Sequence, residues 1–135
     1  MTYAELVVFP DPQELLCSYL RDRLEERGYT NIFVGTKVPT NRPKMFVRVM
    51  VVGGERRSVK IDAPRLVVES WGSTESEASD LAEMNRALIF AMDRWQGTQV
   101  YNVQETARPT NLPDPLSTHE RFTATYIVPV SGYVI

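Results

Sequence analysis

Hydrophobic residues recur every three to four positions in two segments of the chain and at every second position in several others. In the first helical segment, Asp11 is a suitable N-cap, Pro12 fits the first helical position and Gly28 supplies a left-handed stop. These signals predict an amphipathic helix over about 12 to 27. Its apolar stripe consists of Leu15, Leu16, Tyr19, Leu20 and Leu24.

The second helical segment is STESEASDLAEMNRALIFAMDRW. Ser73 is the predicted N-cap, and acidic residues in the first turns suit the positive end of the helix dipole. The pattern predicts that the helix continues to Trp95 and ends at Gly97. Its apolar stripe consists of Leu81, Met84, Leu88, Met92 and Trp95.

Alternating residues in the middle of the chain predict a long β-hairpin. KMFVRVMVVGG forms the first strand, Gly53 and Gly54 break it, and SVKIDAPRLVVESWG returns. Arg56 and Arg57 form a basic tip. Pro64 has no backbone donor, so it indicates an edge or a bulge in the return strand.

The remaining strands complete an α/β (α+β) domain. Three further segments are predicted to be strands: NIFVG, TQVYNVQET and RFTATYIVPV. The order of elements is then α-β-β-β-α-β-β. We expect one domain over 1–135, with a mixed, mostly antiparallel sheet and two helices packed on one face.

Alternation along the hairpin predicts two different sheet faces. We expect Val47, Val49 and Val51 to face the helices. The other face then carries Phe46, Arg48, Met50, Glu69 and Trp71. A half-apolar face of this kind indicates an interface between subunits. Arg48 needs a counter-ion there, either Glu69 across the hairpin or an acidic residue of a neighbouring subunit.

Composition excludes several classes of function. The net charge is -2 over 135 residues, so we expect no general attraction to nucleic acid or to an anionic membrane. No apolar run approaches the roughly 20 residues that span a bilayer, and the acidic, proline-broken amino terminus does not resemble a signal peptide. We therefore expect the protein to be made in the cytoplasm.

The residues that carry chemistry are few. His119 is the one histidine and has no nucleophile motif, and Cys17 is expected to be an inert thiol. The acidic cluster Glu75, Glu77, Asp80 and Glu83 suits the helix dipole and has no second ligand group. We therefore expect no enzymatic activity, no cofactor and no metal.

Two proline-containing loops, 36–43 and 108–118, are the candidate contact segments. Prolines 109, 113 and 115 lower the conformational entropy of the second loop, so ordering it against another molecule costs less. A loop of this length before the last strand is typical of a functional segment.

The chain resembles the tail terminator family of long-tailed bacteriophages over nearly its whole length. Four segments carry the resemblance: DPQELLCSYLRDRL, RPKMFVRVMVVGGERRSVKIDAPRLVVESWG, STESEASDLAEMNRALI and VYNVQETARPTNLPDPLSTHERFTATYIVPVSG. Membership implies a virion protein that forms a homo-hexameric ring at the head-proximal end of the tail. Such a ring caps the tube of the major tail protein, stops its polymerisation and joins it to the head-to-tail connector, while genome DNA passes through the lumen without specific binding.

A ring needs a heterologous contact whose rotation closes. We hypothesise that the second sheet face, the hairpin tip and the two loops supply the contacts with neighbouring subunits and adjoining rings. The candidate interface residues are Arg42, Arg48, Arg56, Arg57, Glu69, Trp71, Asn111, Leu112 and Asp114.

Two other functions remain open from the sequence. The first is another phage neck or head-completion protein of similar size. The second is a small enzyme or ligand-binding domain, whose sign would be a polar pocket around His119 or Glu75.

Overall fold

The computed structural model describes residues 5–135, and residues 1–4 of the predicted domain lie outside this range. Its long elements follow the predicted order. They are α1 (Pro12–Glu26), β2 (Phe33–Gly35), β3 (Phe46–Arg56), β4 (Ile61–Gly72), α2 (Glu75–Phe90), β7 (Gln104–Asn111) and β8 (Glu120–Ile127). Short strands complete the chain: β1 (Val7–Val8), β5 (Arg94–Trp95), β6 (Thr98–Gln99), β9 (Val130–Ser131) and β10 (Tyr133–Val134).

The main sheet has the strand order β2-β3-β4-β8-β7. β2 is parallel to β3, and the other neighbours along this path are antiparallel. Val47 and Val49 of β3 are fully buried in one core with side chains of α1 and α2. The α+β class, the mixed sheet and the placement of both helices on one face are therefore confirmed.

Helix α1 begins and ends at the predicted signals. The Asp11 carboxylate accepts hydrogen bonds from the amides of Gln13 and Glu14, which satisfies two of the free donors of the first turn. Gly28 has a φ of 94°, which ends the helix in a conformation that glycine adopts without strain.

Helix α2 differs from the prediction at both ends. The N-cap is Thr74 rather than Ser73, and the Thr74 hydroxyl accepts from the amide of Glu77. The helix ends at Phe90, so Trp95 lies in a short hairpin whose turn residues, Gln96 and Gly97, both have positive φ. The indole of Trp95 donates to the Ser18 hydroxyl on α1, a non-local contact that overrides the helical pattern.

The long hairpin contains a bulge rather than a break. β3 continues through Gly53 and Gly54, and its pairing with β4 shifts between Val51 and Gly54. The bulge lies next to Pro64, which pairs with Gly54, so the proline correctly indicated an irregularity there. A Cβ on Gly54 would clash with the carbonyl oxygen of Ala63, so the backbones approach too closely for another residue. The prediction for Val51, the last residue before the bulge, is wrong, because it is 42% exposed rather than packed under the helices.

The strand before the last loop is also displaced from its predicted position. The segment predicted as one strand is divided between β6 and β7, and β7 continues to Asn111. Pro109 therefore lies in the edge strand, where its missing donor costs no ladder hydrogen bond, and the loop itself covers only 112–119.

Candidate interaction surfaces

The second face of the sheet carries a buried ion cluster around Glu69. Arg48 approaches Glu69 at 2.6 Å, and Arg121 approaches the other carboxylate oxygen at 3.5 Å. Glu69 is 4% exposed, so its charge is compensated within the protein rather than by solvent. Of the two counter-ions considered for Arg48, the intramolecular one is present.

Trp71 lies beside this cluster and is 1% exposed. Its ring stacks on Phe46 with a centroid distance of 4.9 Å. The guanidinium groups of Arg42 and Arg121 lie 5.2 and 5.3 Å from the Trp71 ring centroid, within cation–π range. Trp71 is therefore buried by the chain's own residues, and its side chain offers no surface to another molecule.

The loops 36–45 and 112–119 close over this end of the sheet. Arg42 donates to the Asp114 carboxylate at 3.1 Å, and Arg121 donates to the Leu112 carbonyl at 2.8 Å. The Leu116 amide and Arg42 both donate to Asp114, which lowers the pKa of that carboxyl. We call Phe46, Arg48, Glu69, Trp71 and the two loops the covered end.

His119 also belongs to the covered end. One ring nitrogen lies 3.1 Å from the Pro43 carbonyl oxygen and the other lies 3.1 Å from the Ser117 hydroxyl. The same hydroxyl accepts from the His119 amide, which is a local turn rather than a nucleophile oriented by a base. These contacts give His119 a role in joining the two loops.

The covered end brings together six of the nine predicted interface residues: Arg42, Arg48, Glu69, Trp71, Leu112 and Asp114. Asn111 and Leu112 lie where β7 meets the second loop, and Leu112 is 50% exposed. Arg121 was missed, although alternation along the last strand places it opposite Trp71. The available signal was that Arg121 is the one basic residue of this strand.

The end of β3 and the turn that follows it are exposed to solvent. All residues of 51–60 are exposed, and we call this segment the arm. Val51, Val52 and Val59 are 42%, 50% and 62% exposed. The return strand beside the arm is half-buried at Ile61, is buried at Ala63 and pairs with β9, so the arm belongs to the sheet. Exposed apolar side chains grouped on such a segment are typical of a surface that another molecule covers.

The two predicted arginines of the arm differ in their contacts. Arg56 donates to the carbonyls of Ser58 and Val59 and lies over the Phe9 ring, so it holds the turn of the arm. Arg57 makes one side-chain contact, at 3.3 Å, with the amide oxygen of Gln104. Arg57 is therefore the arginine available to a partner.

A small ribbon formed by both chain ends continues the apolar surface of the arm. β1 pairs with β10, and the ribbon joins the arm through the Gly132 amide, which donates to the Lys60 carbonyl. Eight of the thirteen exposed large apolar residues within 5–135 lie on the arm and the ribbon, which we call the apolar end. Five are ribbon residues or flank it: Leu6, Val8, Tyr133, Val134 and Ile135. The sequence reasoning missed this surface, because pairing between the two ends of a chain has no local signal.

A groove lies at the opposite end of β3. It has a volume of about 460 Å³ and is lined in part by Glu25, Tyr29, Ile32 and Phe33. Phe33 is 39% exposed. Burial and the nearby Asp80 carboxylate raise the pKa of Tyr29, which places Asp80 of α2 near this side of the groove. Arg21 also lines the groove.

Cys17 and the potential metal ligands within 5–135 are the remaining reactive groups. Burial raises the pKa of the Cys17 thiol to about 11, which leaves it protonated at neutral pH. No three His, Cys, Asp or Glu side chains of the described residues are placed to hold a metal ion. Neither α1 nor α2 has the length and hydropathy required to cross a membrane.

No family model and no curated protein matches the sequence. Among solved structures, the chain is similar to one from the virion of the native gene transfer agent (GTA) particle, with 12% sequence identity and a TM-score of 0.66. The likeness covers 90% of this chain and 95% of that chain. The two proteins therefore share a fold over almost their whole lengths.

Proposed function

We propose that the protein is a structural component of a phage-like virion, and specifically a tail terminator. In this role it forms a hexameric ring on the head-proximal end of the tail tube. The ring stops addition of further tube subunits and joins the tail to the head-to-tail connector. The protein acts by binding rather than by converting a substrate.

The observation that carries the proposal is the fold shared with a virion chain over nearly the full length of both proteins. Coverage of 90% and 95% means that the shared fold accounts for almost all of both matched sequences. The match is independent of the motifs on which the resemblance to tail terminators depends, because sequence identity is 12%. Both lines point to virion assembly.

The distribution of surface polarity supports assembly. Monomeric proteins rarely expose a large continuous apolar patch, and the apolar end places eight large apolar residues together. The groove at the other end is lined by Tyr29, Ile32 and Phe33, and no three His, Cys, Asp or Glu side chains within 5–135 are placed to hold a metal ion. These features favour a protein that binds other subunits over an enzyme.

Electron microscopy of purified protein mixed with tail tubes tests the role directly. We expect density at one end of each tube and arrest of further tube growth. Deletion of the gene in its phage should give overlong or unjoined tails. Leaky or tailless heads would instead identify a head-completion protein, and a specific small ligand in a thermal shift screen would favour the ligand-binding alternative.

A charge reversal separates binding from folding. Arg57→Glu should reduce capping of tubes at least tenfold. The free energy of unfolding should stay within about 0.5 kcal/mol of wild type, because the side chain is exposed. Arg94→Glu, an equal change at an exposed position on β5, is the matched control and should cap normally. Equal capping by wild type and Arg57→Glu would remove the arm from the binding surface.

A further inference from the structure

We infer that the arm of each subunit docks into the groove at Tyr29 and Phe33 of the next copy of the chain. The groove of one subunit is thus occupied by the arm of a second copy of the chain, and the copies are arranged head to tail. This inference rests on the proposed ring and names the contact that builds it.

The two surfaces lie at opposite ends of one strand. β3 has 11 residues, which at about 3.3 Å per residue gives a length of about 35 Å. Phe33 pairs with Phe46 at the start of β3, whereas the arm contains its end. A contact between two different surfaces of a subunit is heterologous. Repeating this contact generates a closed ring when the rotations from one subunit to the next add up to a full turn.

The two surfaces also match in chemistry. The arm presents exposed valines, three basic residues and one carboxylate, Glu55, and Lys60 lies 3.8 Å from Glu5. The groove presents Tyr29, Ile32 and Phe33 with the Glu25 carboxylate, and Asp80 lies near Tyr29. Arg21 also lines the groove, where it donates to the Val34 carbonyl. Apolar area is thus available on both sides, with an excess of positive charge on the arm and of negative charge at the groove, which favours this pairing over two copies of either surface.

The contact is made through side chains rather than by strand addition. β2, at the edge of the sheet beside the groove, has three residues, and the Val34 carbonyl already accepts a hydrogen bond from Arg21 at 2.8 Å. The other edge strand, β7, has two register irregularities and a proline. Both features hinder pairing with a further strand.

Cysteine cross-linking tests the contact. A chain carrying both Val52→Cys and Phe33→Cys should form, on mild oxidation, a ladder of disulfide-linked oligomers that collapses to monomer with reductant. Each single variant alone should stay unlinked, and a mixture of the two singles should stop at the linked dimer. Cys17 remains in place, because it is 2% exposed.

The control chain pairs Val52→Cys with Phe90→Cys, which is 49% exposed at the end of α2 and should give no ladder. The reaction is run on the protein alone at high concentration and on capped tail tubes. Absence of the ladder in both conditions, or an equal ladder from the control chain, overturns the inference.

The outcomes separate this inference from the proposed function. Capped tubes without the arm-to-groove disulfide overturn the contact and leave the terminator role intact. A disulfide-linked ring that does not bind tubes supports the contact and overturns the terminator role.

Discussion

The covered end and the arm lie at opposite ends of the long hairpin and have opposite environments. Around Phe46 and Trp71 the alternating apolar residues are buried on both faces of the sheet, by the helices on one side and by two loops on the other. From Val51 outward the alternation ends in VVGGERRSVK, and all residues of 51–60 are exposed although β3 continues to Arg56. The strand therefore forms in both regions, whereas burial depends on what the rest of the chain places over it.

The charged residues of the two regions differ in the same way. In the covered end, Glu69 is held by Arg48 and Arg121, and a buried charge without such partners would be strongly destabilising. In the arm, Arg57 has one contact with a neutral amide. We therefore expect substitutions in the covered end to change stability and substitutions in the arm to change association.

Trp71→Ala should have the largest effect on the isolated protein. Loss of a buried indole and of its stacking on Phe46 should lower the free energy of unfolding by about 3 to 5 kcal/mol. Val52→Ala in the arm is the control and should change it by less than about 0.5 kcal/mol. Urea denaturation followed by far-ultraviolet circular dichroism measures both, and similar losses would contradict the contrast between the two regions.

Glu69→Gln should have the next largest effect. The substitution keeps the shape of the side chain and removes the charge that faces Arg48 and Arg121. We expect a loss of about 1.5 to 3 kcal/mol, the range for hydrogen bonds to charged groups. Arg48→Met in the same background should then cost less than it does in wild type, and strictly additive losses in this double-mutant cycle would show that the pair is not coupled.

Asp114→Asn should have the smallest effect and should depend on pH. The pKa of Asp114 is lowered from 3.8 in the folded protein, so its stabilising contribution is present above that value and is lost as the pH falls through the folded pKa. Wild type should therefore lose more stability than Asp114→Asn on acidification from pH 7 to below the folded pKa. Amide hydrogen exchange in 112–119 measures the same difference locally. Parallel pH profiles of the two proteins would show that the Asp114 charge, and with it the ion pair to Arg42, does not contribute to stability.

Local signals in the sequence determined the elements that begin and end at residues with a specific conformational role. Asp11, Pro12 and Gly28 place α1 because capping, a fixed φ and a left-handed stop act within a few residues. Pro64 indicated the bulge for the same reason. The periodicity of the helices and strands also predicted a mixed sheet with two helices on one face, which the fold confirms.

The tertiary structure alone decided which apolar surfaces remain exposed. The end of α2 depends on Trp95 reaching Ser18, and the covering of Trp71 depends on Arg42 and Arg121, which lie far from it in sequence. The apolar end exists because β1 and β10, which lie far apart in sequence, pair beside the arm. Short-range periodicity contains no information about such contacts, since it records the alternation of a strand and not the segments that fold over it.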